Sequence, residues 1–275
     1  MTPPRTVLLT GASGRIAGQL LPALRDAYDL RLVDVKDTDR AGEQVTGVEI
    51  FDVLEAHPDS LAALCEGVDT IVHAGYVTDG AARGYASERS NVDMTQRIYD
   101  AATTAGVRRV VCASTNQASK WYEQPYYQGR IDRVSVDDYP RPDSFYGWAK
   151  VAYESLGFLY ACGSLGTQLE VVQIRIVAPR EIDSADFRDR PLQHYLRDIA
   201  GYISERDLQQ LFVKCIETAD IRDRFGVPFQ IFYGVSNNAR TFWSITNARE
   251  VVDYQPVDDS EVKFAEQIAA MVRRG

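Results

Sequence analysis

Cysteine is scarce in this chain: Cys65, Cys112, Cys162 and Cys215 are four in 275 residues. They are scattered, form no Cys-x-x-Cys pair and each lies in an apolar context. A disulfide framework or a zinc site is therefore not expected, and reduced, structural thiols are. Histidine is scarcer still. His57, His73 and His194 stand far apart without ligand spacing, so no metal is expected. No run of about eighteen or more apolar residues occurs, which leaves no candidate membrane span. The apolar run near the N-terminus, Thr6-Val7-Leu8-Leu9-Thr10, is too short and too β-branched for a signal peptide, and no small-residue cleavage site follows it before the glycines. A cytoplasmic location is expected. Positive charge is in deficit, with a formal net charge of -9. Such a surface repels phosphate backbones, which argues against nucleic acid as a partner.

What is present is an ordinary globular composition, 45% hydrophobic and 25% charged. The length allows one large core and is short for two full domains. The first half alternates short β-branched runs with amphipathic stretches. Strands are expected at Thr6–Leu9, Leu30–Val35, Val48–Phe51, Thr70–His73, Arg109–Ala113 and Val171–Ile176. Helices are expected at about Arg15–Ala27, His57–Cys65, Glu88–Ala105 and Ser144–Cys162, the last three closed by Gly67, Gly106 and Gly163. This alternation predicts an α/β fold, a doubly wound parallel sheet with helices on both faces. After Ile176 the pattern loosens. A helix over Gly201–Ala219, a strand at Phe229–Tyr233 and helical pieces at Thr246–Val252 and Glu261–Arg273 read as a small substrate-side cap. The expectation is a single domain, residues 1–176 mainly the sheet core and 177–275 mainly a cap interleaved with it.

The segment Gly11-Ala12-Ser13-Gly14-Arg15-Ile16-Ala17 follows the first strand and opens a helix. Gly11 permits a tight turn, Gly14 lets a pyrophosphate approach the backbone, and Ala17 lets helix and strand pack closely. The helix N-terminus offers free N–H groups to phosphate. A glycine trio alone is a weak signal, but here the strand before it and the helix after it are both present, as in the Rossmann fold. Asp34 closes the second strand about twenty residues later, where an acid accepts the adenosine ribose hydroxyls and repels a 2′-phosphate. NAD is thus expected over NADP. Asp52-Val53 follows the third strand, and Ala74 and Gly75 at the end of the fourth let a dinucleotide lie against the strand ends. His73, beside them, reads as a packed or hydrogen-bonded residue rather than a catalyst.

Tyr146 and Lys150 begin the helix after the fifth strand, and their i, i+4 spacing puts both on one face. A free tyrosine has a pKa of about 10. A nearby ammonium and the positive nicotinamide of NAD+ both favour the phenolate, bringing it toward working pH. Tyr146 can then take a proton from a substrate hydroxyl while hydride leaves for the nicotinamide. The fifth strand ends in Ser114-Thr115-Asn116, whose hydroxyls can orient the reacting oxygen. A Tyr-x-x-x-Lys pair is common in helices, and its weight comes from the order in which all these pieces occur.

On these residues the chain resembles the extended short-chain dehydrogenases/reductases of the NAD-dependent epimerase/dehydratase superfamily. The resemblance rests on Gly11-x-x-Gly14-x-x-Ala17, Asp34, Asp52-Val53, His73-Ala74-Gly75, Asn91-Val92, Ser114-Thr115-Asn116, Tyr146-x-x-x-Lys150, Arg175 and Tyr254-Gln255-Pro256. The nearest branch is the one containing uronate dehydrogenase and the archaeal NAD-dependent glucose-6-phosphate dehydrogenase. Ala27–Asp34, Ala113–Asn116, Arg141–Gly147 and Tyr233–Asn238 carry that narrower likeness.

The resemblance implies NAD as cofactor, held by Gly11, Ser13, Gly14, Arg15, Ile16, Asp34, Asp52, Val53, His73, Ala74, Gly75, Asn91, Tyr146 and Lys150. It implies oxidation of the anomeric carbon of a sugar to a lactone, with Tyr146, Lys150, Thr115 and Ser114 catalytic. Tyr76, Thr115, Asn116, Gln117 and an arginine would touch the substrate. It also implies a homodimer or homotetramer formed through the helices near 88–105 and 144–163. The chain departs from uronate dehydrogenases at Gln117, where they usually carry His, and at Val177-Ala178, where they carry Gly-Ser. The arginine nearest to their carboxylate ligand is Arg188, with Arg180 second. Trp121, Tyr122, Tyr126 and Tyr127 suit either stacking on a sugar or packing within their own loop. The arginines of 180–197 suit either a substrate anion or neighbouring acids. A nucleotide-sugar epimerase or dehydratase, and a non-catalytic dinucleotide sensor, are the alternative functions.

Overall fold

The computed structural model describes residues 4–77 and 84–273. Seven strands form one sheet: β1 (Thr6–Thr10), β2 (Asp29–Asp34), β3 (Val48–Ile50), β4 (Thr70–His73), β5 (Arg109–Thr115), β6 (Glu170–Ile176) and β7 (Phe229–Gly234). Every pairing is parallel and the order is β3-β2-β1-β4-β5-β6-β7. The chain winds outward from β1 in one direction and from β4 in the other. A crevice therefore opens beyond the carboxyl ends of these two strands, the usual ligand position in such sheets.

The helices are α1 (Arg15–Ala27), α2 (Pro58–Leu64), α3 (Tyr85–Ala105), α4 (Glu123–Tyr127), α5 (Phe145–Ala161), α6 (Leu192–Gly201), α7 (Glu205–Glu217), α8 (Thr246–Val252), α9 (Ser260–Lys263) and α10 (Ala265–Val272). The two-residue period of the strands divides the core. Val7 and Leu9 face one layer with Leu20, Leu24, Leu208 and Phe212 of α1 and α7. Leu8, Ile71 and Val110 face the other, with Ile98 and Tyr99 of α3 and Tyr160 of α5. A smaller cluster, including Phe187, Tyr195, Ile199, Tyr202 and Phe264, lies in the last hundred residues.

The helix expected over Gly201–Ala219 is α7, Glu205–Glu217, and Gly201 instead closes α6, a helix over Leu192–Gly201 that the sequence pattern did not signal. Gly201 ends α6, and Ser204 begins α7 by accepting the Asp207 N–H at 3.2 Å. Between them the backbone pairs with the chain leaving β6, and Ala178 N–H donates to the Gly201 carbonyl at 3.0 Å. The two helices pack largely into different apolar clusters, α6 through Tyr195 and Ile199 and α7 through Leu208, Leu211 and Phe212. The C-terminal helix is interrupted, between Lys263 and Ala265. Between Asn116 and Tyr146 the chain forms a 3₁₀ segment, Asn116–Tyr122, followed by α4, neither of which the sequence pattern signalled.

Candidate active site

A cavity of about 790 Å³ opens at the carboxyl ends of β1, β2, β4, β5 and β6. At one end lies the glycine turn. Gly11 has φ +69, and a Cβ there would sit 2.6 Å from the backbone of Gly75, so the β1 and β4 strand ends approach as only glycine allows. Gly14 precedes α1 and supplies no side-chain cap, which leaves the first N–H groups of the helix directed toward the cavity end. Asp34 is fixed by two backbone donors, Ser13 N–H at 3.0 Å and Val35 N–H at 2.7 Å. Ser13 Oγ donates to the Lys36 carbonyl at 2.7 Å and ties the turn to β2.

Burial, then Arg40 and Arg180, lower the pKa of Arg15. Like charges kept this close make an anion-attracting end to the cavity. Asp52 and Val53 line the wall, as do Ile16, Lys36, Arg40 and Phe51. A close-packed glycine cradle, an uncapped helix start, a basic cluster and a pre-positioned carboxylate together fit a dinucleotide.

Ala74, Gly75, Tyr76 and Val77 continue the wall. His73 does not line it. Its Nδ1 pairs with Thr10 Oγ1 at 2.7 Å and its Nε2 with Thr95 Oγ1 at 3.2 Å. Burial, reinforced by Lys150, pushes it down to about 3, so the ring is neutral and joins β1, β4 and α3. Asn91 also stays behind the wall. Its amide accepts from Val77 N–H at 2.7 Å and donates to the Val77 carbonyl at 3.0 Å, fixing the chain after β4.

Tyr146 stands in the first turn of α5, which Ser144 caps by accepting the Gly147 N–H at 3.2 Å. A Cβ on Gly147 would lie 2.4 Å from the Gln117 carbonyl oxygen, so this glycine lets α5 reach the end of β5. Lys150 is buried. Its Nζ donates to the Ala113 carbonyl at 3.0 Å and lies 6.0 Å from the Tyr146 ring centre and 4.1 Å from that of Tyr153. Burial brings the ammonium down to about 8, against the raising influence of Cys112 and Glu88. The Tyr76 ring meets Tyr146 edge to face at 5.5 Å, and its hydroxyl donates to the buried Glu88 Oε1 at 2.5 Å.

Ser114, Thr115, Asn116 and Gln117 face the same space. Behind them runs a buried polar chain that links Arg175 of the family-like motif to residues no motif contains, Ser119 and Glu154. Ser114 Oγ donates to Glu154 Oε1 at 3.3 Å, and Glu154 takes both Nε and Nη2 of Arg175 at 2.7 and 2.8 Å. Arg175 Nη1 donates to the Tyr233 hydroxyl at 3.0 Å, which pairs with Ser119 Oγ at 2.7 Å. Ser119 Oγ in turn donates to the Asn116 carbonyl at 3.0 Å. This chain closes a loop around the end of β5 and fixes it from beneath.

At the far end Val177, Pro179 and Arg197 complete the wall. Arg180 is outside it, paired with Asp198, and Arg188 is exposed. Of the four aromatic residues, Tyr126 stacks on Phe242 at 4.0 Å, Tyr122 donates to the Tyr139 carbonyl at 2.9 Å and Trp121 faces Arg141 at 4.8 Å. These three pack within their own surroundings. Trp121 and Tyr127 also line a second cavity of about 640 Å³, which shares Arg197 with the first. Glu154 and Arg175 did carry a signal, an acid one turn after Lys150 in a mostly apolar helix and an arginine among apolar residues late in a strand. Arg197, Lys36 and Arg40 carried none that separates them from surface charges.

The model of the NAD dependent epimerase/dehydratase family matches residues 7–174. The chain belongs to that family. Among its relatives within and around the family are the NAD-dependent glucose-6-phosphate dehydrogenase of Haloferax volcanii, 32% identical over 92% of this chain and 94% of that protein, and the uronate dehydrogenase of Pseudomonas syringae pv. tomato, 31% identical over 95% and 85%. The L-arabinose 1-dehydrogenase (NAD(P)(+)) of Haloferax volcanii is 29% identical over 92% and 97%. Among solved structures, uronate dehydrogenase from Agrobacterium tumefaciens superposes with a TM-score of 0.73 at 22% identity, covering 97% of this chain and 89% of the other. That likeness establishes the shared fold. Among the described residues no helix is long and apolar enough to cross a membrane.

Proposed function

We propose that the chain is an NAD-dependent sugar dehydrogenase that oxidises the anomeric carbon of an aldose, uronate or sugar phosphate to a lactone. The observation that carries this reading is the meeting, in one cavity, of the glycine cradle, Tyr146 beside a buried Lys150, and the Ser114-Thr115-Asn116 strand end. NAD, when bound, supplies the hydride acceptor. Gly11, Gly14, Arg15 and Asp34 would hold it. Tyr146 takes the proton of the anomeric hydroxyl, Lys150 stabilises the resulting negative phenolate by its charge, and Thr115 or Ser114 orients the reacting oxygen.

Relatives that match over most of both chains and are named for sugar substrates support the reading. Their names span a phosphate, a carboxylate and an uncharged pentose, so they leave the substrate's handle open. The test is net NADH formation with NAD+ and a panel of aldoses, uronates and 6-phosphates. Stoichiometric NADH supports the dehydrogenase, whereas an epimerase returns its hydride and accumulates none.

The four free cysteines suit a reducing cytosol. Side-by-side α3 and α5, with Phe158 and Leu159 exposed on α5, suit self-association by pairing of these helices, which sedimentation would measure.

A further inference from the structure

Arg197 is the one cation that the described residues bring to the sugar end of the cavity wall apart from Lys150; Arg15, Lys36 and Arg40 belong to the glycine-turn end. On charge alone it would be the clamp for a substrate carboxylate or phosphate. Its guanidinium is, however, already engaged. Nε donates to Glu123 Oε1 at 2.9 Å and Nη1 to Asp198 Oδ1 at 2.7 Å, while the Trp243 ring lies 5.5 Å from its centre. Both carboxylates are nearly buried, with side chains 12% and 10% exposed. Lys120 pairs with Glu123 and Arg180 with Asp198 from the more exposed outer side.

An incoming anion that took the Nε or Nη1 donor now given to an acid would have to draw Arg197 away from it. That would leave a nearly buried carboxylate with one cation, the outer Lys120 or Arg180, in place of two. If Arg197 stayed in place, the anion would instead sit close to two like charges. A sugar hydroxyl meets neither penalty, because it both donates and accepts. Asn116, which lines the cavity, has its Nδ2 3.5 Å from Glu123 Oε1, so the carboxylate lies directly behind the residue facing the substrate.

We propose that Glu123 is a specificity-determining residue: by holding Arg197 in a closed charge network, it makes the sugar end of the site accept an uncharged aldose through its hydroxyls and refuse uronates and 6-phosphates. This rests on the dehydrogenase reading above and narrows it to one substrate class.

The experiment compares kcat/KM from NADH formation for neutral aldoses, uronates and aldose 6-phosphates, in the wild type, Glu123→Gln and Asp198→Asn. The wild type is expected to favour at least one neutral aldose by tenfold or more over every charged sugar. Each variant is expected to narrow that ratio at least tenfold, chiefly by lowering KM for charged sugars, a selective change that a general loss of structure does not produce. The wild-type preference decides the matter even if neither variant folds. A wild type that favours a uronate or a 6-phosphate overturns the assignment while leaving the dehydrogenase standing, as does an unchanged ratio in folded variants. No NADH from any sugar overturns both.

Discussion

The ammonium of Lys150 donates to the carbonyl of Ala113 at 3.0 Å, and it forms no ion pair with a carboxylate among the described residues. A charge is thus kept inside the protein on a neutral partner, next to Tyr146. Such a group is poised for chemistry at the expense of stability.

That expense has a pH signature. The Lys150 pKa is lowered from 10.5 to about 8 by burial, so between these values the unfolded chain binds more protons than the folded one. Stability therefore rises with pH across that window, and the full cost, roughly 3 kcal/mol, is present below about pH 8. Without NAD, Lys150→Met is expected to be more stable than the wild type at pH 7, and the difference should shrink toward pH 10. Its turnover should fall by about 10² or more. Urea denaturation at several pH values checks the first part and NADH formation the second.

The pair Glu154–Arg175 is two-pronged and buried. Glu154→Gln leaves Arg175 without its counter-charge and should cost about 3 kcal/mol or more of unfolding free energy. Replacing both residues, as Glu154→Leu with Arg175→Met, should recover much of that stability. It should not recover turnover, since Ser114 loses its acceptor and the β5 end its support. Denaturant midpoints set against kcat in the same variants separate the two effects.

Gly147 has no room for a methyl group, which would meet the Gln117 carbonyl at 2.4 Å. Gly147→Ala must push α5 away from the end of β5, shifting Tyr146 relative to Thr115. A displacement near 1 Å is expected to lower kcat/KM by about 10²-fold. A variant with unaltered kinetics would mean that Tyr146 and the β5 end need not be held together.

Asp34 is aimed by Ser13 and Val35, with Lys36 and Arg40 in the same wall. Asp34→Ala removes the ribose acceptor and leaves those cations facing the vacated space. Affinity for NAD should fall by about tenfold while that for NADP rises, as measured by cofactor titration. A loss affecting both equally would make Asp34 a support for the glycine turn alone.

Much of the fold was legible because its signals are local. Alternating β-branched runs and glycine-closed helices place the first six strands within a residue or two, and Tyr146 with Lys150 on one helix turn and Ser114-Thr115 at a strand end are each local patterns. The elements after Ile176 were harder to read. The apolar positions of α6, such as Tyr195 and Ile199, are interspersed with charges and pack into a small separate cluster, so its helix left little pattern before Gly201.

Site residues that act through distant partners were invisible for another reason. Glu123 and Arg197 are far apart in sequence, and only folding makes them a pair. His73 and Asn91 sit at motif positions but support the wall from behind, since their side chains are consumed by Thr10, Thr95 and Val77.

The most direct measurement is single-turnover NADH formation by Tyr146→Phe, with NAD binding followed in the same sample. The phenyl ring keeps the edge-to-face contact with Tyr76 but has no proton-accepting oxygen. Binding of NAD should survive while the rate of hydride transfer falls by about 10²–10⁴-fold. Wild-type rates in this variant would show that another group takes the proton and that the Tyr146–Lys150 pair is only structural.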